Sequence, residues 1–195
     1  MAESSTLGLT NTLQLQWTGD PEAPPREEVD DIQFINILLK QIVGDYNVDK
    51  DSIYVAGFSN GGGLAGLLAC DSAVSCRIAA FAASSGAFYK DEALKEPFFS
   101  HCHLSRQPIP FLEFHGDKDP VIHYDGKTTP DGPTYDIFGW IQGWAYRNGC
   151  SKGDKGIRTL LHAGRVEKTV WTCGGVENVV EHYKIAGFAG QPHSR

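Results

Sequence analysis

The stretch VAGFSNGGGLAGLLAC, residues 55–70, decides how the rest of the chain is read. Upstream, SIYVAGF (52–58) is rich in β-branched and aromatic residues, as a buried strand should be. Downstream, GGGLAGLLAC is a helix-like run whose small residues allow close approach to a sheet. Between them Gly57-Phe58-Ser59-Asn60-Gly61 matches Gly-x-Ser-x-Gly, which in a strand–turn–helix setting is a nucleophile elbow. Ser59 is the expected nucleophile. Gly57 and Gly61, without a Cβ, are expected to let the backbone pass close to its neighbours. Asn60 opens the helix, so its backbone N–H is the expected oxyanion donor at the positive end of the helix dipole. Among 22 glycines the same pattern can be a plain strand-to-helix turn or a phosphate loop. The chain has no Gly-Lys-Ser/Thr, and its glycine spacing fits a dinucleotide site poorly, which favours the nucleophile.

Outward from the elbow, residues 1–28 read as an irregular segment ending in the loop chemistry of GDPEAPPREE. Residues 29–195 then read as the catalytic part of one domain. Apolar residues at Val29, Ile32, Ile35, Leu38, Leu39, Ile42 and Val43 predict an amphipathic helix over 29–43, with Asp30 and Asp31 in its first turn. RIAAFAASSG from Arg77 and IPFLEFHGDKD from Ile109 read as further buried strands. Residues 134–147 read as a helix burying Ile137, Trp140, Ile141 and Trp144, and RVEKTVWTC and NVVEHYKI as strands. Alternating strands and helices argue a mostly parallel α/β sheet flanked by helices.

A serine elbow needs an acid and a base, in the chain order serine, acid, histidine. FLEFHGDKDPVIHY offers Asp117 and Asp119 past a strand end, and Asp119 is better placed to reach back toward an imidazole. An Asp-rich turn is the plainer alternative. His115 and His123 come early for the base and suit packing or loop roles. His182 lies inside a strand and reads as structural. His193, in the tail AGFAGQPHSR, is the candidate base, and reads equally well as an ordinary tail residue. Phe88, Tyr89, Phe98 and Phe99 could wall a phenolic site, with core packing the stronger reading.

Composition bounds the partners. With 41% apolar and 21% charged residues the chain can bury a core, and no apolar run approaches the roughly 18 residues that span a membrane. A net charge of −7 argues against nucleic acid and anionic membrane surfaces, leaving a neutral or weakly acidic small substrate as the open possibility. No metal or organic cofactor is implied. The N-terminus lacks the basic start and apolar run of a signal peptide. Yet Cys70, Cys76, Cys102, Cys150 and Cys173 show no metal or redox spacing, and look like disulfides of an oxidising compartment with one cysteine left over.

With those residues in hand, the sequence resembles the fungal feruloyl esterases of carbohydrate esterase family one, relatives of acetylxylan esterases and polyhydroxybutyrate depolymerases. WTGDP, VDDIQFI, VDKDSIYVAGFSNGGG, CRIAAFAASSGAFY, PIPFLEFHGDKDPVIHY, WAYRNGC and VEHYKI carry the resemblance from Trp17 to about Ile185. It implies a secreted serine esterase of the α/β-hydrolase fold that releases ferulate from plant cell-wall polysaccharide, with Ser59 and Asp119 in the catalytic roles. Acetylxylan or polyester cleavage on the same scaffold, or an inactive shortened chain, are the competing expectations. The family's His-Gly loop before the nucleophile and its Gly-His-x-Trp-Pro after HYKI have no match here, so the chain is expected to be shortened at both ends and to lack the first strands of the fold. Cys150 and Cys173 flank a strand pair and are the expected disulfide, and a monomer is expected.

Overall fold

The computed structural model describes residues 16–95, 98–129 and 132–189. In chain order these form α1 (Asp31–Asp45), β1 (Tyr54–Phe58), α2 (Asn60–Cys70), α3 (Ser72–Ser75), β2 (Ala80–Ser84), a 3-10 turn (Asp91–Ala93), and β3 (Phe111–Gly116). There follow the two-residue strands β4 (Thr128–Thr129) and β5 (Gly132–Pro133), α4 (Ile137–Arg147), β6 (Ile157–Leu161), β7 (Val166–Cys173) and β8 (Val176–Ile185). Six strands make one sheet in the order β1-β2-β3-β8-β7-β6.

The architecture is α/β, and the sheet is mixed, parallel across three of its five strand pairs. β1, β2, β3 and β8 run parallel, whereas β7 is antiparallel to both β8 and β6. The reason is the length of the connection. Gly174 and Gly175, at φ 60° and 80°, join β7 to β8 directly, and a parallel partner would need a crossover of a dozen residues or more. β6 leaves no clear mark on the sequence because it is an outer strand, exposed at four of its five positions.

α1 begins two residues later than the apolar spacing predicts. Asp30 is its N-cap, its carboxylate accepting from the Gln33 N–H at 2.9 Å. Asp31 stands in the first turn, as expected. It is buried, and its Oδ2 accepts the Thr18 N–H at 2.7 Å, fastening the 16–28 segment to the helix. Only part of the expected apolar stripe is covered: Ile32 is buried and Ile35 and Leu39 are partly so, while Val29, Leu38 and Ile42 are exposed, as are Phe34 and Ile37 outside it.

The core sits where α2 and α4 meet. Every residue of α2 from Gly62 to Cys70 is buried, and a Cβ on Gly66 would stand 3.0 Å from Trp140. Phe88 stacks on Trp140 at 3.6 Å between ring centroids, and Phe111, Trp144 and Phe99 complete the cluster. Phe88, Tyr89 and Phe99 are therefore core residues, and Phe98 is packed against them. Cys150–Cys173 is a disulfide as expected. Cys70–Cys102 is the second, and Cys76 is left free and exposed. Among the described residues no helix is long and apolar enough to cross a membrane.

Candidate active site

Ser59 is the turn residue between β1 and α2, with φ 53° and ψ −121°. Positive φ is uncommon for a residue with a Cβ and costs on the order of 1–3 kcal/mol, so the surroundings must enforce it. Three backbone N–H groups do so by donating to the Ser59 carbonyl: Gly62 at 2.9 Å, Gly63 at 3.1 Å and Ala87 at 3.0 Å. The Ser59 N–H in turn donates to Ser84 O at 3.0 Å. The side-chain hydroxyl makes no capping hydrogen bond to α2, which leaves it available for other chemistry.

The glycines around it divide differently from the sequence expectation. A Cβ on Gly57 would lie 2.0 Å from Gly61 O and 2.6 Å from Gly62 N, so this position is closed to any side chain. Gly61 has nothing within 4 Å and is not required by space. The close approaches belong instead to Gly62, 2.9 Å from the Gly86 Cα, and Gly63, 2.5 Å from Ala87 O, each measured from a built Cβ. These two let α2 press onto the segment after β2.

Asn60 does more than open the helix. Its side-chain amide clasps the backbone of Trp17 from both sides, Oδ1 accepting the Trp17 N–H at 2.7 Å and Nδ2 donating to Trp17 O at 3.2 Å. Thr18 is fastened to Asp31 beside it, so Trp17, 40% exposed, is carried on backbone tied to the residue after the nucleophile. Sequence spacing gives no sign of this contact, since the two residues lie 43 positions apart.

Asp119 follows β3. Because β1, β2 and β3 run parallel and adjacent, Ser59 and Asp119 both stand at the carboxyl edge of the sheet, two strand spacings or about 10 Å apart across it. Asp119 Oδ1 accepts the N–H groups of Val121 and Ile122, each at 3.0 Å. Its Oδ2 is buried with no hydrogen-bond partner among the described residues. Asp117 is spent otherwise, accepting the Gly187 N–H at 2.7 Å. Thus the strand-end pair separates into one structural carboxylate and one with a free oxygen. His193 lies outside the described residues. His182 is buried, as its strand position suggests, and His115 is buried too.

Sequence reasoning missed Glu113. It is fully buried on β3, with Oε1 2.9 Å from His115 Nδ1 and Oε2 2.7 Å from His182 Nδ1. The second is a close charge contact rather than an aligned hydrogen bond, since neither atom has a partner in good geometry. Burial alone would raise the Glu113 carboxyl pKa, but hydrogen bonds and charge from the two histidines hold it below its ordinary value. Burial alone would lower His115, but Glu113 and the Ile122 carbonyl hold it above its ordinary value. The Tyr124 hydroxyl, 2.8 Å from His182 Nε2, is pushed up by burial and by the Glu113 charge. No group of three His, Cys, Asp or Glu side chains among the described residues is placed to hold a metal ion.

An α/β sheet carrying a strained serine turn and a buried, half-paired carboxylate at one edge is what this chain presents. Over about half its length the chain is similar to fungal feruloyl esterases. It is 36% identical to feruloyl esterase C of Emericella nidulans over 100 residues, covering 51% of this chain and 33% of that protein. It is 33% identical to feruloyl esterase B of Piromyces equi over 129 residues, covering 64% of this chain and 23% of that one. A longer, weaker match, 23% over 166 residues, runs to the bifunctional acetylxylan esterase/xylanase XynS20E of Neocallimastix patriciarum, covering 84% of this chain and 22% of that one. The stretch matched to feruloyl esterase C is thus about a third of that protein's length. No family model matches.

Proposed function

We propose that this chain carries the nucleophile half of a serine-type carboxylic ester hydrolase of the α/β-hydrolase fold, acting on feruloyl esters of plant cell-wall polysaccharide. The observation that carries the reading is Ser59 itself. It is held at φ 53° by three N–H groups on its carbonyl, and its hydroxyl is unused by the helix it starts. Strain of that kind is kept where it serves a site.

In this mechanism Ser59 Oγ attacks the ester carbonyl while a histidine takes its proton. The Asn60 backbone N–H receives the oxyanion charge, supported by the positive end of α2. Asp119 Oδ2 is the oxygen free to accept the histidine's other N–H and fix its tautomer. The histidine then returns the proton to the leaving sugar alkoxide. Water, deprotonated by the same histidine, attacks the acyl-serine; the bond to Ser59 Oγ breaks, Oγ takes the proton back from the histidine, and the carboxylic acid leaves. His193 is the candidate for that histidine. The names of the relatives supply the acyl group, and the acetylxylan esterase relative supports acetyl esters as the second reading. The two disulfides support an oxidising, secreted setting.

A fluorophosphonate probe tests the reading directly. Mass spectrometry of the folded chain should find one adduct on Ser59, absent from Ser59→Ala. Methyl ferulate and aryl acetate rates would then divide the two ester classes. A folded chain without labelling at Ser59 would refute the hydrolase assignment.

A further inference from the structure

Ester hydrolysis needs Ser59, a histidine and Asp119, and makes no use of the buried charges beneath Asp119. Those charges form a connected set. His115 Nδ1 meets Glu113 Oε1 at 2.9 Å, and His115 Nε2 meets Ile122 O at 2.8 Å. His115 Nε2 is also 3.8 Å from Asp119 Oδ2. On the other side of Glu113, His182 Nδ1 stands 2.7 Å from Oε2 and His182 Nε2 2.8 Å from the Tyr124 hydroxyl. Glu113, His115, Asp119 and His182 are each at most 2% exposed.

The neighbours dictate the protons. Ile122 O is a carbonyl and only accepts, so His115 Nε2 carries a hydrogen. Glu113 Oε1 as a carboxylate also only accepts, which puts a second hydrogen on Nδ1 and makes the ring an imidazolium. The alternative, a neutral ring beside a protonated Glu113, would leave the Asp119 charge 3.8 Å from Nε2 without a countercharge. His182 sits on the far side of Glu113 from His115, between Glu113 Oε2 and the Tyr124 hydroxyl. Other groups facing the set are Asp136 and Glu167, which act on Tyr124, and Lys184, 4.3 Å from the Tyr124 ring centroid. Thr169 lies beside His182 on β7.

The same hydrogen bonds shape the Asp119 turn. Asp119 Oδ1 gathers the Val121 and Ile122 N–H groups, and His115 takes the Ile122 carbonyl from below, so Ile122 is held at both ends of its backbone. With Oδ1 committed, Oδ2 can point only one way.

We propose that His115 is a positioning residue for Asp119: as an imidazolium anchored on Glu113, it locks the Asp119–Ile122 turn and supplies the countercharge under the free Oδ2. This rests on Asp119 being the acid of the hydrolase reading. A residue that merely filled space would do neither job, and a neutral replacement would do at most the first.

Two measurements on the full chain test it. In the first, the chain is labelled with 15N-histidine and the His115 ring nitrogens are followed from pH 5 to 9. The expected result is two protonated nitrogens still present at pH 8, and a neutral ring at that pH in Glu113→Gln. A neutral His115 at pH 8 in the parent overturns the proposal. In the second, the rate of fluorophosphonate labelling at Ser59 is compared between the parent and the folded fraction of His115→Gln, which keeps a donor for Ile122 O but no charge. A fall of about 10- to 100-fold is expected, as for a small misplacement of a catalytic group. An unchanged rate overturns the positioning role. A parent that does not label at all refutes the hydrolase reading, and Asp119's role with it. A parent that labels but has a neutral His115 refutes only this proposal.

Discussion

Replacing Gly57 and Gly61 one at a time by alanine separates a steric requirement from a motif. At Gly57 the new methyl would sit 2.0 Å from Gly61 O, 2.2 Å from Gly61 C and 2.6 Å from Gly62 N. All three atoms belong to backbone of the first turn of α2, so no side chain can swing aside. The methyl lies about 1.4 Å inside an ordinary 3.4 Å contact, and relief requires moving either β1 or the helix start. Overpacking of well-packed sites costs about 1–3 kcal/mol and sometimes more, and here the upper end is expected because backbone must yield. For a chain of this size, about 3 kcal/mol corresponds to a fall in Tm of about 6–12 °C. Moving α2 also displaces the Gly62 and Gly63 N–H groups that hold Ser59, so labelling by a fluorophosphonate should be lost from the fraction that still folds. At Gly61 the methyl meets nothing within 4 Å, in a helix where alanine is favoured over glycine by up to about 1 kcal/mol. Gly61→Ala should therefore match or slightly exceed the parent in urea unfolding. A Gly57→Ala variant within about 0.5 kcal/mol of the parent, or a Gly61→Ala variant damaged as badly as Gly57→Ala, would refute this steric account.

Three further outcomes follow from the geometry. Asn60→Ala removes both hydrogen bonds to Trp17 at a cost of about 1 kcal/mol, so tryptic cleavage at Arg26 should speed up about fivefold. An unchanged cleavage rate would show that the clasp does not hold the segment. Asp91 accepts the N–H groups of Phe98, Phe99 and Ser100. Partial burial pushes its pKa up, but those donors prevail and hold it below the ordinary 3.8. A carboxylate with a lowered folded pKa stabilises above its unfolded pKa and loses that contribution as pH falls through the folded value. Asp91→Asn should thus be less stable than the parent at pH 7, and the gap should narrow below pH 3.8; a gap constant with pH would contradict this. For the cysteines, native alkylation should add one group, at Cys76. Reducing both bridges should cost about 3–4 kcal/mol each, measured by urea unfolding before and after reduction, given loop separations of 32 and 23 residues.

Local features were legible where a single segment decides them. Strand, turn and helix around Ser59 follow one another without interruption, and Ile137, Trp140, Ile141 and Trp144 show the helical period that α4 buries. The turn that carries Asp117 and Asp119 was legible as the end of a buried strand, whereas their different hydrogen-bond partners were not. What stayed hidden depends on register. Glu113 and His182 are 69 positions apart in sequence yet directly opposite each other on β3 and β8. A signal was nevertheless present: Phe111, Glu113 and His115 share one face of β3 by the two-residue period, and two of those three are ionisable. Polar residues in the core-facing phase of a buried strand require partners on the next strand. Likewise the Asn60–Trp17 and Asp31–Thr18 contacts join segments that approach only once the chain is folded. The glycines after Ser59 divide their roles unexpectedly because the close contacts of α2 with the segment after β2 fall at Gly62 and Gly63, past the motif's Gly61.

The helix behind the nucleophile is fastened at both ends. At one end Ser59 O holds three N–H groups, and at the other Cys70 is bonded to Cys102 while its carbonyl takes the His103 N–H at 3.1 Å. Its 11 residues make a rod about 16 Å long, buried along most of its length. The serine turn and the Cys70–Cys102 bridge are thus two ends of one buried element, and cutting the bridge loosens the helix that supplies the Gly62 and Gly63 N–H groups to Ser59.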